Sequence, residues 1–521
     1  MNRNNLSKIL IYFLLLVVIG YSGFIRIRNI STSPGGFRDE GTYLEAGWNL
    51  VNGEMRLGAV NCTFASPFMT EPPLHPLLGG IAMKIFKPEL RYFRLVSALF
   101  AVLATLLIFF VGREIKDEKI GLVSAAIFAF YPFAVIYNRM GFGYNIYMFW
   151  ALLVFFFSLK YLKTNKITYL ILAIIFTALS ILTIYYAVVL IIFLMIILIS
   201  KKKYKLIILP FLSLLPIILF FLYHIIAKTS GFSDDFTKLF FDFSQGSREL
   251  NQLSIFTSTM LHFKDYFGLG GFFVVGTIGL FLIKEKYSRN SILLIYLLML
   301  GIYLVRKDTQ VATINYPLIP VLPILAVGCG QFFFSIIDVL SKIINQTFSQ
   351  LNSEKSKKYA SAICILLLLS MLYVYRLTTL WGIYGGFETT LDFGCIQDTN
   401  LAYEAANFIN DNTNENDLVI SDYNFWWMID KAKVSNIPQS LIKQGIFNDF
   451  YRYPLSQDRF FYDPSLKKSK FVVIDHFYSH ISSIPVGPLH QPIKDTIINV
   501  EKNWKNVFDN GEYRVYINPD L

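Results

Sequence analysis

Charge is scarce in this chain. Only 16% of its 521 residues are Asp, Glu, Lys or Arg, while 54% are hydrophobic and 17% aromatic. That balance excludes an ordinary soluble protein and fits a polytopic membrane protein. Cysteine is scarcer still: there are four, Cys62 and Cys395 in polar segments and Cys329 and Cys364 in apolar runs. None stands in a C-x-x-C spacing, which argues against a zinc or thiol-redox site. The first apolar run, Ile9 to Ile25, lacks a small-residue cleavage pattern after it, so it reads as a retained helix and not as a removed signal peptide. No solenoid-length repeat and no low-complexity tract occurs. The net charge of +11 would suggest nucleic acid in a soluble chain, but the Lys and Arg residues fall in short clusters between apolar runs. That placement sets membrane topology instead, and nucleic acid is not expected as a partner.

What is present is a series of apolar runs. About 11 transmembrane helices are expected, near 9–25, 93–112, 120–138, 144–160, 167–183, 185–200, 205–226, 266–283, 290–305, 312–336 and 359–380. The uncharged stretch from Ile167 to Ser200 would be roughly 51 Å long as one helix, too long for a core of about 30 Å, so it should break near Thr183 to Tyr186. With the N-terminus inside, the basic segments REIKDEK (113–119), KYLKTNK (160–166), KKKYK (201–205), KEKYSR (284–289) and 341–358 all fall on the cytoplasmic side. The expected protein is therefore multi-pass in the cell membrane with a cytoplasmic N-terminus. Residues 26–92 and 227–265 become outer loops, and residues 386–521 become a soluble extracytoplasmic domain after a membrane part of residues 1–385. That last part carries short strand-like runs at DLVISD (417–422), KFVVID (470–475) and EYRVYIN (512–518), and a helical spacing at Leu401, Ala405, Phe408 and Ile409. It reads as a small α/β domain without a glycine-rich phosphate loop or a nucleophile elbow. Its FWWMI stretch (425–429) suits core packing better than a sugar platform.

The first outer loop concentrates acids. Asp39 and Glu40 precede apolar positions Leu44, Trp48 and Val51, which recur at i, i+4 and i+7 with Glu45, Asn49 and Asn52 on other faces. An amphipathic helix on the outer interface is expected, and Asp39 could be no more than its N-cap. Glu71 follows before two prolines in TEPPLHPLLGG (70–80), with His75 four residues on.

The order of these elements resembles that of the GT-C glycosyltransferases, more narrowly family 39, the protein O-mannosyltransferases and the aminoarabinose transferase of lipid A. The residues that carry the resemblance are Asp39, Glu40 and Tyr43, then Glu71, Pro72, Pro73 and Leu74, then Phe93, Arg94, Ser97, Ala98 and Leu99. Weaker matches are YNRMGFGYN (137–145) and NYPLIPVLP (315–323). Two positions depart from the family pattern: Pro72 stands where relatives often have a cation, and Asn145 where many have an acid. The resemblance covers roughly residues 1 to 385 and implies a GT-C transmembrane catalytic domain. The implied reaction is inverting transfer of a sugar from a polyprenyl-phosphate carrier to a glycan, lipid or protein acceptor on the extracytoplasmic face.

Such a reaction needs a carboxylate to accept the acceptor's proton, and Asp39 is the candidate base. Glu40 and Glu71 are candidates to orient the acceptor or to hold a divalent cation such as Mg, Mn or Ca, since these take oxygen ligands. The leaving phosphate calls for cations on the outer side, where Arg139, Arg306 and Lys307 stand against the positive-inside bias. Tyr43, His75, Asn145, His262 and Tyr316 complete the candidate substrate contacts. Asp234 and Asp235, in the long 227–265 connection, read as a solvated turn. Cys62 and Cys395 share the outer side, where a disulfide or two free thiols would both be stable. Two alternatives stand beside the enzyme. A flippase or exporter of lipid-linked sugars would place ionisable residues in the middle of spans, whereas here the charges gather at span ends. A non-catalytic receptor with an outer ligand-binding domain would leave the three acids replaceable.

Overall fold

The structure is a computed structural model that describes residues 3–54, 72–227, 260–261, 268–305, 316–347, 353–381, 396–397, 399–448, 460–483 and 485–521. Glu71, His262, Arg306, Lys307, Asp234, Asp235, Cys62 and Cys395 lie outside these residues. The membrane part comprises α1 (Arg3–Ile27), then after the segment 28–89 α4 (Leu90–Ile115), α5 (Glu118–Phe130), α6 (Pro132–Asn138), α7 (Gly143–Thr164), α8 (Ile167–Ile181), α9 (Val189–Ser200) and α10 (Leu215–Ile226). It continues with α11 (Leu269–Phe281), α12 (Lys286–Val305), α13 (Leu322–Thr347) and α14 (Ser353–Trp381). Each expected apolar run contains helix. Among the described residues seven helices are long and apolar enough to cross a membrane, α5 and α6 are together long and apolar enough but bent by 66° at the break between them, and Leu74–Ile85, α8, α11 and the stretch Tyr185–Ser200 are shorter apolar helices. The 167–200 stretch breaks after Ile181, as its length required, and resumes at Tyr185.

The chain packs as two compact units, residues 1–30, 97–218 and 246–390 in the first and 31–96, 219–245 and 391–521 in the second. The expected division near 385 kept residues 26–92 with the membrane part. Among the described residues, 31–54 and 72–96 pack in one unit with the C-terminal domain.

In the first unit, close helix crossings are made by glycine. A Cβ at Gly279 or Gly328 would collide with the facing backbone of the other helix, and Gly112 and Gly121 meet in the same way. Within lipid, where apolar surface gains little from burial, such small-residue contacts let backbones approach and dispersion act. Two expected cytoplasmic segments share one end: Glu114 of α4 binds Lys160 at 2.5 Å and Lys163 at 3.1 Å on α7. The helices α1, α14 and the stretch Tyr204–Ile226 are largely exposed, with 11–17% of their most apolar windows buried. These are the lipid-facing members.

The second unit contains β1 (Gly36–Phe37), α2 (Arg38–Val51), α3 (Leu74–Ile85) and the C-terminal domain. That domain runs β2 (Ile396–Gln397), α15 (Thr399–Asp411), β3 (Leu418–Ile420), α16 (Tyr423–Trp426), β4 (Lys433–Ser435), α17 (Ile437–Lys443), β5 (Phe471–Ile474), α18 (His476–Ser483), α19 (Gln491–Asn503), β6 (Lys505–Asp509) and β7 (Arg514–Ile517). Five strands form one sheet in the order β4-β3-β5-β7-β6, parallel through β4, β3 and β5 and antiparallel beyond. The three anticipated strands are β3, β5 and β7. Alternation of side chains sends Val419, Phe471, Val473 and Val515 to a core shared with α15, and Ile420, Val472, Ile474 and Tyr516 to one shared with α17, α18 and α19. Phe425, Trp426, Met428 and Ile429 belong to the first of these cores, so the FWWMI stretch is packing.

Gly328→Ala should lower the melting temperature of the detergent-solubilised protein by an amount equivalent to about 1–3 kcal/mol, because neither backbone can move away. Gly301→Ala, where a Cβ meets nothing within 4 Å, should leave it unchanged or slightly raised.

Candidate active site

Helix α2 begins at Arg38, so Asp39 and Glu40 lie inside its first turn rather than at the cap. Carboxylates there are favoured by the unpaired N–H groups and the helix dipole. The two side chains differ in fate. Glu40 is 1% exposed and faces Arg94, which is 0% exposed on the first turns of α4. Arg94 Nε donates to Glu40 Oε1 at 2.7 Å and Nη2 to Oε2 at 2.5 Å, a bidentate pair. Two further guanidinium donors go to the chain just upstream: Nη1 to the Pro34 carbonyl and Nη2 to the Gly35 carbonyl, both at 2.7 Å. The next two residues are held differently, since β1 pairs antiparallel with β2, Gly36 opposite Gln397 and Phe37 opposite Ile396. Residues 34 to 40 are thus tied on three counts, and Asp39, partly exposed, is carried between the ties.

One helical turn beyond Asp39, Tyr43 meets the buried His75 edge-on at 5.1 Å between ring centroids, and His75 in turn contacts Phe93 at 5.3 Å. The close approach of α2 and α3 depends on Gly47 and Gly80, where a Cβ on either would strike the other helix's backbone, while Gly79 makes room for the Phe93 ring of α4, which a Cβ there would strike. Leu44, Met83, Leu90 and Phe93 form the core beneath, with Trp427 of the C-terminal domain against it. The structure departs here from the expected interfacial helix. Glu45 and Asn49, assigned to a solvated face, are 3% and 1% exposed, because α2 is covered by α3 and α16. A cover supplied from nearly four hundred residues downstream leaves no mark in the local periodicity of α2.

Arg139 and Asn145 belong to the first unit, at the turn between α6 and α7. Asn145 Nδ2 donates to the carbonyls of Tyr137 and Met140 at 2.9 and 3.0 Å, and its Oδ1 accepts from Asn138 Nδ2 at 2.7 Å. Its amide is engaged in closing the turn. Arg139 is 0% exposed, and its Nη1 donates to the Ile25 carbonyl at 2.5 Å. A residue that sequence reasoning passed over organises this turn. Pro132 has no N–H to give the Phe128 carbonyl, and the 66° bend that follows takes Ala129 out of the helical ladder too. Arg26, fully buried at the end of α1, fills both vacancies: Nη2 donates to Phe128 at 3.3 Å and Nη1 to Ala129 at 3.1 Å. Its Nε and Nη2 also reach Asn138 Oδ1 at 3.2 and 3.1 Å. Tyr316 opens the 3₁₀ turn Tyr316–Val321 that precedes α13.

Among the sequence-derived candidates, the structure therefore brings Asp39, Glu40, Tyr43 and His75 into one unit, and Arg139 and Asn145 into one turn of the other. Arg94 was legible only as part of the F-R-x-x-S-A-L pattern, and Arg26 as a cation closing an apolar run. Among the described residues no three His, Cys, Asp or Glu side chains stand together as a metal site. Both Glu40 oxygens are bonded to Arg94, and Glu71 lies outside the described residues.

The family model described as dolichyl-phosphate-mannose-protein mannosyltransferase matches residues 70–226. Among solved structures, ArnT from Cupriavidus metallidurans bound to undecaprenyl phosphate superimposes with a TM-score of 0.60 at 13% identity, over 98% of this chain and 97% of that one. The oligosaccharyltransferase AglB from Archaeoglobus fulgidus, in complex with an inhibitory peptide and a dolichol-phosphate, gives 0.58 at 15% identity over 98% and 74%. The arabinofuranosyltransferase AftD from Mycobacteria gives 0.51 at 12% over 99% and 40%. No curated protein sequence matches. The fold is that of the GT-C glycosyltransferases, multi-pass in the membrane, and the matched family and these neighbours are glycosyltransferases.

Breaking the Glu40–Arg94 pair should be costly because it strands a buried charge. Arg94→Met and Glu40→Gln should each destabilise the protein by about 3–5 kcal/mol, read as a lower detergent melting temperature, with the double variant less affected than the sum.

Proposed function

We propose that this protein is an inverting glycosyltransferase that moves a sugar from a polyprenyl-phosphate carrier to an acceptor hydroxyl or similar nucleophile on the extracytoplasmic face, with Asp39 as general base. The observation that carries the reading is the unequal treatment of two adjacent carboxylates. Glu40 is neutralised and buried, whereas Asp39 is held in place by the backbone ties around it and keeps partial exposure. Such an arrangement suits a group that must take a proton from a bound substrate.

In the reaction the acceptor oxygen attacks the anomeric carbon from the face opposite the phosphate, and the carbon–oxygen bond to the phosphate breaks. The acceptor's proton passes to an Asp39 oxygen, and the polyprenyl phosphate leaves with the bonding electron pair. Glu40 and Arg94 act as positioning residues. Tyr43, one turn along the same helix face, and His75, which meets it from α3, are proposed substrate contacts, together with Glu71, His262 and Tyr316. Asn145 is proposed to keep the second turn closed. Arg139, Arg306 and Lys307 are the proposed phosphate-facing cations. The N-terminus is placed in the cytoplasm by the distribution of Lys and Arg, and the C-terminal domain outside.

Asp39→Asn should keep its melting temperature and lose transfer of labelled sugar from membrane polyprenyl-phosphate pools by about a hundredfold or more. Equal transfer by wild type and variant would sink the role of Asp39. An absence of transfer by wild type from every pool would favour the exporter and receptor readings.

A further inference from the structure

The first unit encloses a cavity of about 350 Å³ where four of its elements meet. Tyr144 and Tyr147 enter from the first turns of α7, Tyr186 from the 3₁₀ turn Tyr185–Val188, Tyr303 from the last turn of α12, and Pro317 and Pro320 from the turn Tyr316–Val321. A space of this size lies within the range of about 300–1,000 Å³ typical of ligand pockets. It stands at the end of the bundle opposite the lysines: α7 runs from Tyr144 towards Lys160 and Lys163, and α12 begins at Lys286 and reaches Tyr303 near its far end. The distribution of Lys and Arg assigns that end to the outer face.

The lining is selective for tyrosine. Among the described residues no phenylalanine lines the cavity, although Phe outnumbers Tyr 49 to 31 in the chain. A hydrocarbon chain would be served as well by Phe, and a hydroxyl that faces only hydrocarbon gives up its bonds to water without return. A ring with a hydroxyl at its edge instead suits a ligand that has both a C–H face and oxygen atoms. Tyr147 carries this furthest. It is 5% exposed and lines the cavity, and its hydroxyl makes no hydrogen bond among the described residues. Tyr144, Tyr186 and Pro317 are half-buried, so the space is reached between them. The described lining carries no charge, and an ionised amino or carboxyl group would enter it unpaired.

We propose that this cavity holds an uncharged sugar ring, with one of its oxygens bonded to the Tyr147 hydroxyl and its C–H face against the neighbouring tyrosine rings. That a sugar is brought to this end of the bundle rests on the transfer reaction proposed above; the cavity adds a residue that binds it and the charge it carries. The sugar of the lipid-phosphate donor and a sugar of an acceptor glycan share this chemistry.

The test is binding to purified full-length protein in a sugar-free detergent, with wild type, Tyr147→Phe and the cavity-filling Ile302→Trp, each checked by its melting temperature. The probes are citronellyl phosphate, citronellyl phosphates bearing mannose, glucose, galactose or arabinose, the same with an amino sugar, and the methyl glycosides. Wild type should bind a neutral-sugar probe several-fold more tightly than the matching compound without the sugar or with the amino sugar. Tyr147→Phe should lose about three- to tenfold of affinity for that probe, the range of one neutral hydrogen bond, and keep its affinity for bare citronellyl phosphate. Ile302→Trp should weaken the sugar probe alone, and it keeps the test valid should Tyr147→Phe fail to fold. A gain confined to the citronellyl-linked sugars would make the occupant the donor's sugar, and a gain on a methyl glycoside an acceptor's; each supports the site. Sugar binding undiminished in both variants, tighter binding of the amino sugar, or equal weakening of bare citronellyl phosphate, which would make the cavity a site for the lipid chain, would overturn it. Asp39→Asn separates the two readings: it should bind the sugar probe as wild type does while losing transfer. Normal transfer by Asp39→Asn would remove the proposed base and leave the cavity standing, whereas lost transfer there with unchanged sugar binding in both cavity variants would do the reverse.

Discussion

The placement of Asp39 rests on a buried ion pair in which it takes no part. Glu40 and Arg94 are both withdrawn from water, and desolvating two such charges costs as much as their attraction returns unless the remaining hydrogen-bonding groups are also matched. Here they are matched by the carbonyls of Pro34 and Gly35. A pair of apolar residues could fill the same volume at similar stability. It could not hold those two carbonyls, and the segment leading into α2 would lose its register. The pair therefore contributes geometry more than energy, with Asp39 carried as its neighbour in the chain.

The second turn of the membrane part uses the same device. Pro132 breaks a span and strands carbonyls in a region without water, where each unmatched group costs about 1–3 kcal/mol. Arg26 covers two of them and extends to Asn138, whose own amide passes the constraint to Asn145. In both places an arginine is chosen because one planar group can donate in several directions at once, which lysine cannot do. Each unit has its irregular, polar segment pinned by a guanidinium rather than by regular secondary structure.

Much of this fold was legible because membrane helices announce themselves by composition. All the expected apolar runs contain helix, and the break in the 167–200 stretch followed from its length alone. The strands β3, β5 and β7 showed as apolar runs, while β4, KVS, is too short and too polar to stand out, and β6, KNVFD, alternates poorly. The acids of the first outer loop were legible as candidates but not in their division of labour. Asp39 and Glu40 are adjacent and chemically alike, and only the arrival of Arg94, fifty-four residues later, makes one structural. Arg94 and Arg26 look in sequence like ordinary charges at the ends of spans. Their burial depends on which helices meet there, and periodicity within a single helix carries no record of that.

The same limit explains the C-terminal domain. Its distance in sequence and change in composition suggest an appendage, and its sheet with a core on each face does satisfy itself. Yet β2 supplies the second strand to the residues just before Asp39, and Trp427 completes the core beneath Tyr43 and Phe93. A two-residue strand such as Gly36–Phe37 has no stability of its own, since a lone ladder of that length cannot offset the entropy of ordering it. It exists because the domain is there to pair with it. The domain is thus part of the scaffold that fixes the candidate base, and variation in its surface can change what approaches Asp39 while the ladder and the ion pair keep that carboxylate where it is.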